Sequence, residues 1–185
     1  MSEKNDIRFL ARSEEYQKAY KMLFKLYNRD IDDLYDRNFI LYTLSKVCKK
    51  LNRYDEAKKY INLALDDIEN IDGYSTEKIK SMWLYLELNK DSLSNEEINS
   101  RYESLKLSIN DSLENEELYL GLECSIYFLN KDNTKIVEIF YMCLERHYID
   151  IIESILFESK EVDKLLFYKL SKIYEMYEIK REEKI

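Results

Sequence analysis

Residues 41–64 read LYTLSKVCKKLNRYDEAKKYINLA, and this stretch decides the fold. In its second half and just beyond, apolar side chains recur every three or four positions and therefore share one face of a helix. These residues are Tyr54, Ala57, Ile61, Ala64, Leu65 and Ile68. The first half and its flanks show the same spacing at Phe39, Leu41, Leu44, Val47, Cys48 and Leu51. Only Asn52 and Arg53 lie between, so the sequence predicts two antiparallel helices joined by a tight turn.

The composition of the whole chain fits this architecture. Among 185 residues there are no prolines and two glycines, with 36% charged and 45% hydrophobic residues. This mixture favours long amphipathic helices and disfavours a β fold rich in turns. The length suits one domain with a substantial core rather than two globular units joined by a linker. We therefore predict an all-α fold in a single domain over residues 1–185.

The helical hairpin resembles the tetratricopeptide repeat, which carries W-x2-L-G-x2-Y in its first helix and A-x3-F in its second, over about 34 residues. The corresponding residues here are Leu41-x2-Leu44-Ser45-x2-Cys48, then Tyr54-x2-Ala57-x3-Ile61-x2-Ala64. Small residues in such a pattern let helix backbones approach closely while large ones fill the gaps. The chain departs from the family at Ser45, which replaces the glycine, and in lacking the terminal proline.

Weaker copies of this pattern occur elsewhere in the chain. Tyr16-x2-Ala19-x3-Leu23 repeats the second helix 38 residues before Tyr54, and the repeats are therefore longer than those of the family. The best repeat covers residues 38–71, with weaker copies at 7–37, 76–110 and 114–148. The resemblance implies helix hairpins stacked as a right-handed α-solenoid of about nine or ten helices. Long, degenerate repeats of this kind are similar to those of peptide-pheromone receptors of low-GC Gram-positive bacteria and their phages.

The strongest internal sequence similarity is between residues 39–48 and residues 165–174. The two segments read FILYTLSKVC and LLFYKLSKIY and share four identities. The last long helix, predicted at 160–182, therefore corresponds to the first helix of a repeat. It either caps the array or belongs to a shortened form of a longer protein. An uncovered apolar helix face at this position favours a homodimer through the C-terminal helix.

Capping and turn residues predict where several helices begin and end. Ser94-x2-Glu97 has the form of a capping box, and Asp72-Gly73 is typical of a turn. A break is expected at residues 130–133. Apolar residues crowd irregularly between positions 147 and 160, where we predict a short extra helix. Gly121 lies inside an apparent helix, which predicts a close helix crossing or a kink.

Charge and composition limit the partners. The net charge is −8 and no basic block is long enough for a phosphate-binding stripe, so direct binding to nucleic acid is not expected. Residues 1–12 have no apolar signal region, and no apolar run has the length of a membrane span. Cys48, Cys124 and Cys143 are widely spaced and are expected to be reduced core thiols. We therefore expect a cytoplasmic protein without membrane contact.

The sequence contains no recognisable catalytic constellation. His147 is the single histidine, and no metal-ligand spacing surrounds it, so a position near a helix end explains it best. Two glycines cannot build a phosphate-cradling loop. Adjacent acidic pairs such as Asp66-Asp67 point to different helix faces and are expected to be solvated. We predict no enzymatic activity, no metal and no cofactor.

Binding residues are predicted on the first helix of each repeat, because this helix lines the groove in proteins with tetratricopeptide repeats. One repeated position holds Tyr42, Trp83, Leu122 and Tyr168, and one turn further along lie Lys46, Glu87, Ile126 and Lys172. Lys49 and Lys50 add positive charge beside Lys46. Rigid aromatic rings are enriched in binding hot spots. The alternative is that these residues have no binding role. Tyrosine and lysine are common in this chain, and they would then lie on ordinary solvent-exposed helix surfaces.

Two functions are consistent with these residues. The first is a protein- or peptide-binding module, or regulatory adaptor, that uses a concave groove at Tyr42, Lys46, Lys49, Trp83, Tyr168 and Lys172. The second is a small acidic chaperone or immunity-type protein that sequesters a single protein partner. The identity of the ligand distinguishes them, because the first holds a short peptide and the second forms a tight obligate complex.

Overall fold

The structure is a computed structural model that describes residues 3–29, 31–69, 71, 73–109 and 115–182. Over these residues the chain forms ten α-helices and no β-strand, which confirms the all-α prediction. None of the helices within the described ranges is both long and apolar enough to cross a membrane. The helices fall into two compact units, residues 1–110 and 111–185. The single domain over residues 1–185 stays a prediction.

The described residues of the first unit form six helices. They are α1 (Glu3–Arg12), α2 (Tyr16–Tyr27), α3 (Leu34–Lys50), α4 (Tyr54–Ile68), α5 (Ser75–Asn89) and α6 (Asn95–Lys106). Each helix packs against the next one along the chain, and α3 also packs against α5. Alternate helices therefore come into contact, as they do when helical hairpins stack side by side.

The hairpin of α3 and α4 has the form that its sequence predicts. The Asp33 side chain caps α3 by accepting a hydrogen bond from the backbone N–H of Asp36 (2.8 Å). Asn52, in the turn, has the left-handed backbone conformation (φ 58°), which asparagine adopts more readily than most residues. Ser45 is fully buried and its Oγ donates to the carbonyl of Ala57 at 2.8 Å. Two small residues therefore let these helices pack closely, as the pattern implied.

A buried lysine holds the far end of the next hairpin together. Lys78 of α5 is completely buried, and its Nζ donates to the carbonyl oxygens of Ile71 and Ser108, the latter at 3.0 Å. Ser108 in turn donates from its hydroxyl to the carbonyl of Glu69 (2.6 Å). Buried cations are tolerated only when hydrogen bonds replace their lost hydration. The network fixes the loop after α4 against the end of α6.

Helix boundaries in the first unit follow the polar signals. The capping box at the start of α6 is present, with reciprocal hydrogen bonds between Ser94 and Glu97, and these bonds lower the pKa of the Glu97 carboxyl. Gly73 has a left-handed backbone (φ 90°) in the turn before α5. The other half of the predicted turn, Asp72, lies outside the described residues.

Four helices lie in the described part of the second unit. They are α7 (Glu116–Asn130), α8 (Asn133–Arg146), α9 (Ile149–Val162) and α10 (Lys164–Glu182). Successive helices pack together, and so do the alternate pairs α7 with α9 and α8 with α10. The predicted break between α7 and α8 is present. The segment expected to form a short extra helix is the full-length α9, and α10 begins four residues after the predicted 160.

Gly121 lies in the interior of α7, where the sequence predicts a close helix crossing or a kink. Gly121 of α7 is buried and lies with Cys124 on the wall of a narrow cleft whose other side carries Ile151 and Ile155 of α9. Helices α7 and α9 pack against each other, and a close crossing or a kink at Gly121 stays a prediction.

Candidate functional site

The candidate site is a groove of about 600 Å³ in the first unit. Its walls come from the first helices of three successive hairpins, α1, α3 and α5, with one tyrosine from α2. The lining residues are Arg8, Ala11, Arg12, Tyr16, Tyr35, Asn38, Phe39, Tyr42, Thr43, Lys46, Val47, Lys50, Glu77 and Lys80. This volume lies in the range of about 300–1,000 Å³ that is usual for ligand sites.

Helix α3 supplies most of the groove because it has two faces. Its groove-lining side chains include Tyr35, Phe39, Tyr42, Lys46 and Lys50, which follow one another every three or four residues and so form one stripe. The opposite side carries the fully buried residues Leu41, Leu44, Ser45 and Cys48. The core contacts of α3 with its neighbours therefore fix which side chains face the groove.

Two aromatic rings of the groove lie beside cations. The Lys46 ammonium lies 5.5 Å from the centre of the Tyr42 ring, and the Arg8 guanidinium lies 5.1 Å from that of Phe39. Both are cation–π contacts. Burial raises the pKa of the Tyr42 hydroxyl, and the nearby charge of Glu87 raises it further. Tyr42 is therefore a neutral hydrogen-bonding group at neutral pH, with a ring that is half-buried.

The groove collects positive charge in an otherwise acidic protein. Its cations are Arg8, Arg12, Lys46, Lys50 and Lys80, and all five are exposed. Glu77 is the carboxylate among the lining residues. Considering the residues that the structure describes, none of these five cations forms an ion pair. Their charge is therefore available to a bound anion.

Several cations at other places in the first unit are paired with carboxylates of the protein. Lys49, adjacent to Lys50 in sequence, pairs with Glu87 of α5. Arg37 pairs with Asp67 at 2.7 Å. A shallower cleft of about 560 Å³ is lined by α5 and α6 residues together with Glu69, but its Arg101 is held by Asp66, Glu69 and Asn62. That cleft therefore offers no comparable unpaired positive charge.

The structure places the predicted binding residues in three different settings. Tyr42 and Lys46 line the groove together. Lys49 is occupied by its ion pair, and Trp83 is half-buried on α5 but is not one of the lining residues. Tyr168 and Lys172 lie on α10 in the second unit, where Lys172 is 5.9 Å from the Tyr168 ring centre and 2.8 Å from Glu175. Whether they contribute to binding stays a prediction.

The repeated position does not form a continuous stripe of exposed side chains. Leu122 is completely buried and Ile126 is 2% exposed, so both belong to the core of the second unit. The expectation that Leu122 faces a groove is therefore wrong. The register of the fourth repeat rests on a weak pattern, and α7 turns a different face outward.

The sequence interpretation did not identify several of the groove residues. Arg8, Arg12 and Lys80 were not predicted, although Arg8 and Arg12 are spaced i, i+4 and must share a helix face. Lys46 and Lys50 have the same spacing on α3. Pairs of cations at this spacing on successive first helices were the available signal. Their convergence depends on the packing of α1, α3 and α5, which the sequence does not state.

The remaining reactive side chains are placed as the sequence suggested. His147 is the residue that ends α8, in a left-handed conformation (φ 60°), and its ring nitrogen contacts the Tyr177 hydroxyl of α10. All three cysteines are buried and unbridged, and burial raises the pKa of Cys48 to about 11 and that of Cys143 to about 12. In the described part of the chain, no three His, Cys, Asp or Glu residues are grouped so that they could hold a metal ion.

Comparisons with known proteins add no relative. No protein-family model, no curated protein and no solved structure matches the chain. The function must therefore be argued from the geometry and charge of the groove.

Proposed function

We propose that this protein is a non-enzymatic binding module that holds a peptide, or an extended segment of a partner protein, in the groove of α1, α3 and α5. The observation that carries the proposal is the composition of this groove. Aromatic rings lie beside exposed cations that have no ion-pair partner among the described residues. Such side chains give large contact area and charge-assisted hydrogen bonds to a ligand.

The arrangement of the helices supports a repeat-based mode of binding. Three successive first helices contribute to one groove, and the sequence pattern of the α3–α4 hairpin resembles a tetratricopeptide repeat. In this proposal the hairpins form a solenoid of that type, and the protein acts as a regulatory adaptor in the cytoplasm by occupancy alone. Its resemblance to pheromone-receptor repeats favours a bacterial or phage regulator.

The test is a selection of short random displayed peptides on the immobilised protein. Recovered peptides are synthesised with a fluorophore, and their dissociation constants are measured by fluorescence anisotropy. We expect Tyr42→Ala/Lys46→Ala to weaken binding at least about tenfold, because the pair forms the centre of the groove wall. Circular dichroism checks that the variant remains folded.

The matched control is Tyr168→Ala/Lys172→Ala. It removes the same two side chains at the same spacing, with the same stacked geometry, from α10. It should leave binding unchanged. Equal binding by the wild type and the groove variant, or failure to recover any binding peptide, contradicts the proposal. Loss with the α10 variant alone moves the site to the second unit.

A second candidate function rests on α10. Its side chains Leu165, Tyr168, Met176 and Ile179 are large, apolar and more than half exposed. Exposed apolar faces of this kind mark protein contacts. In this candidate the protein is a small acidic chaperone or immunity-type protein that sequesters one folded partner, or it pairs with a second copy through α10. Sedimentation of the wild type and of Leu165→Glu/Met176→Glu distinguishes self-association from a monomer.

A further inference from the structure

We propose that the groove selects acidic peptides, in which Asp or Glu side chains flank an apolar or aromatic residue. This inference rests on the proposed function and names the chemistry of its ligand. It follows from the placement of charge around the groove, which is the opposite of the charge on the protein as a whole.

Three helices direct their cations to the same groove. Arg8 and Arg12 extend from consecutive turns of α1, and Lys46 and Lys50 do so from α3. Lys80 adds a fifth charge from α5. A ligand in this groove therefore meets positive charge from α1 and from α3, spread over two turns of each helix. Two carboxylates about one helical turn apart, or two residues apart in an extended peptide, match such an arrangement.

Several cations of the first unit outside the groove are neutralised by internal partners. Arg29, Arg37, Lys49, Arg53 and Arg101 of the first unit each pair with a carboxylate. No such pair is formed by the groove cations within the described ranges. An incoming carboxylate would therefore not have to displace an existing ion pair. A concave site lined by one sign of charge also concentrates the field of its charges.

The wall between the cations is aromatic. Phe39 and Tyr42 are half-buried with their rings beside Arg8 and Lys46, and Tyr16 also lines the groove. Rings of this kind bury apolar side chains at low entropic cost. The groove therefore combines an apolar surface with charged edges, which selects a peptide that alternates acidic and apolar side chains.

An extended nucleic acid fits less well, although its phosphates are also anionic. The five cations lie around one groove of about 600 Å³, whereas a nucleic acid carries charge along its whole length. Beyond the groove, the net charge of −8 would repel the rest of a long polyanion. A short acidic peptide presents its charge within the groove alone.

The experiment compares three probes. The first two are fluorophore-labelled peptides from the selection, amidated at their C termini, in the acidic form and with every Asp and Glu replaced by Asn and Gln. The third is a labelled single-stranded oligonucleotide. Anisotropy titrations use the wild type, Lys46→Glu/Lys50→Glu, and the matched charge control Lys21→Glu/Lys25→Glu, whose exposed lysines have the same spacing on α2 and do not line the groove.

We expect the acidic peptide to bind at least about tenfold more tightly than its amide counterpart. That preference should disappear in Lys46→Glu/Lys50→Glu and persist in Lys21→Glu/Lys25→Glu. It should also shrink when NaCl rises from about 0.1 M to about 1 M, since the Debye length then falls from about 10 Å to about 3 Å.

Three outcomes overturn the inference. They are recovered peptides without carboxylates, equal affinities for the acidic and amide forms, and tighter binding of the oligonucleotide than of the acidic peptide. The first two leave the proposed function intact if Tyr42→Ala/Lys46→Ala still abolishes binding. If that variant has no effect on either peptide, the groove is not the site, and the proposed function fails as well.

Discussion

Helices α3 and α10 carry the same sequence pattern in different surroundings. Tyr42 and Lys46 of α3 correspond to Tyr168 and Lys172 of α10, and in both helices the lysine lies over the tyrosine ring. Around α3, the neighbours α1 and α5 supply the other walls of a groove. On α10, Tyr168 is 61% exposed. The difference shows that a tyrosine–lysine pair becomes a candidate site only when neighbouring helices enclose it.

The buried sides of the two helices differ as well. Ser45 is completely buried and bonded to Ala57, whereas the equivalent Ser171 is half-buried. Cys48 is completely buried, and its counterpart Tyr174 is half-buried and stacked on Tyr177 with ring centres 6.3 Å apart. Helix α3 packs against α2, α4 and α5, while α10 packs against α8 and α9. The shared sequence pattern therefore predicts a similar amphipathic helix in both places, and the neighbouring helices determine how deeply its side chains are buried.

The largest expected effect concerns the one core residue that both helices bury completely. Leu44→Ala and Leu170→Ala should each lower the free energy of unfolding by about 2–5 kcal/mol, with the larger loss at Leu44 because α3 has more packing partners. Urea titrations measure the loss, with the fluorescence of Trp83 reporting the first unit and circular dichroism reporting all helices. A larger loss at Leu170 would contradict the packing difference.

A thiol at the equivalent positions tests burial directly. Burial raises the pKa of Cys48 to about 11, so near pH 8 it is protonated as well as shielded. The variant Tyr174→Cys should place a thiol in α10 that reacts with Ellman's reagent at least about tenfold faster than Cys48. Urea-unfolded protein, in which every thiol reacts, is the control. Similar reaction rates of the thiols at positions 48 and 174 in the native protein would contradict the proposed difference in burial.

The smallest effect is a pH dependence at Tyr42. Burial and Glu87 raise the pKa of this phenol in the folded protein above its ordinary value of 10.0. The folded state therefore retains a proton that the unfolded state loses, and the associated stability, present below pH 10, is lost as the pH rises further. Tyr42→Phe should consequently lose less stability than the wild type above pH 10. Urea midpoints on both sides of that pH measure it, and parallel curves would refute it.

Helix bounds were predictable where one signal dominated. The predicted helix at 54–68 matches α4 (Tyr54–Ile68), because its apolar residues keep one period, and Ser94 with Glu97 marks the start of α6. Helix α9 was underestimated because its apolar residues do not lie on one face. Ile152 and Ile155 are buried, whereas Phe157 is 73% exposed. A mixed pattern of this kind hides the length of a helix.

The groove residues of α1 and α5 could not be predicted from the sequence. Tyr42 and Lys46 were predicted because they lie on the first helix of the most regular repeat. The cations of α1 and α5 are far from α3 in sequence, and only helix packing brings them to the same groove. Leu122 was misplaced for a related reason, since a weak repeat does not fix the rotation of its helix. Rotation about the helix axis decides whether a side chain binds or packs.

The buried ammonium of Lys78 makes this residue a natural reporter for the third hairpin. Its amine is enclosed and donates to the carbonyls of Ile71 and Ser108. An acylating reagent or an acetyltransferase needs a free, accessible amine, so modification of Lys78 requires α5 to separate from the end of α6. Its labelling rate, set against that of the exposed Lys80 two residues away, would therefore register how often this hairpin opens.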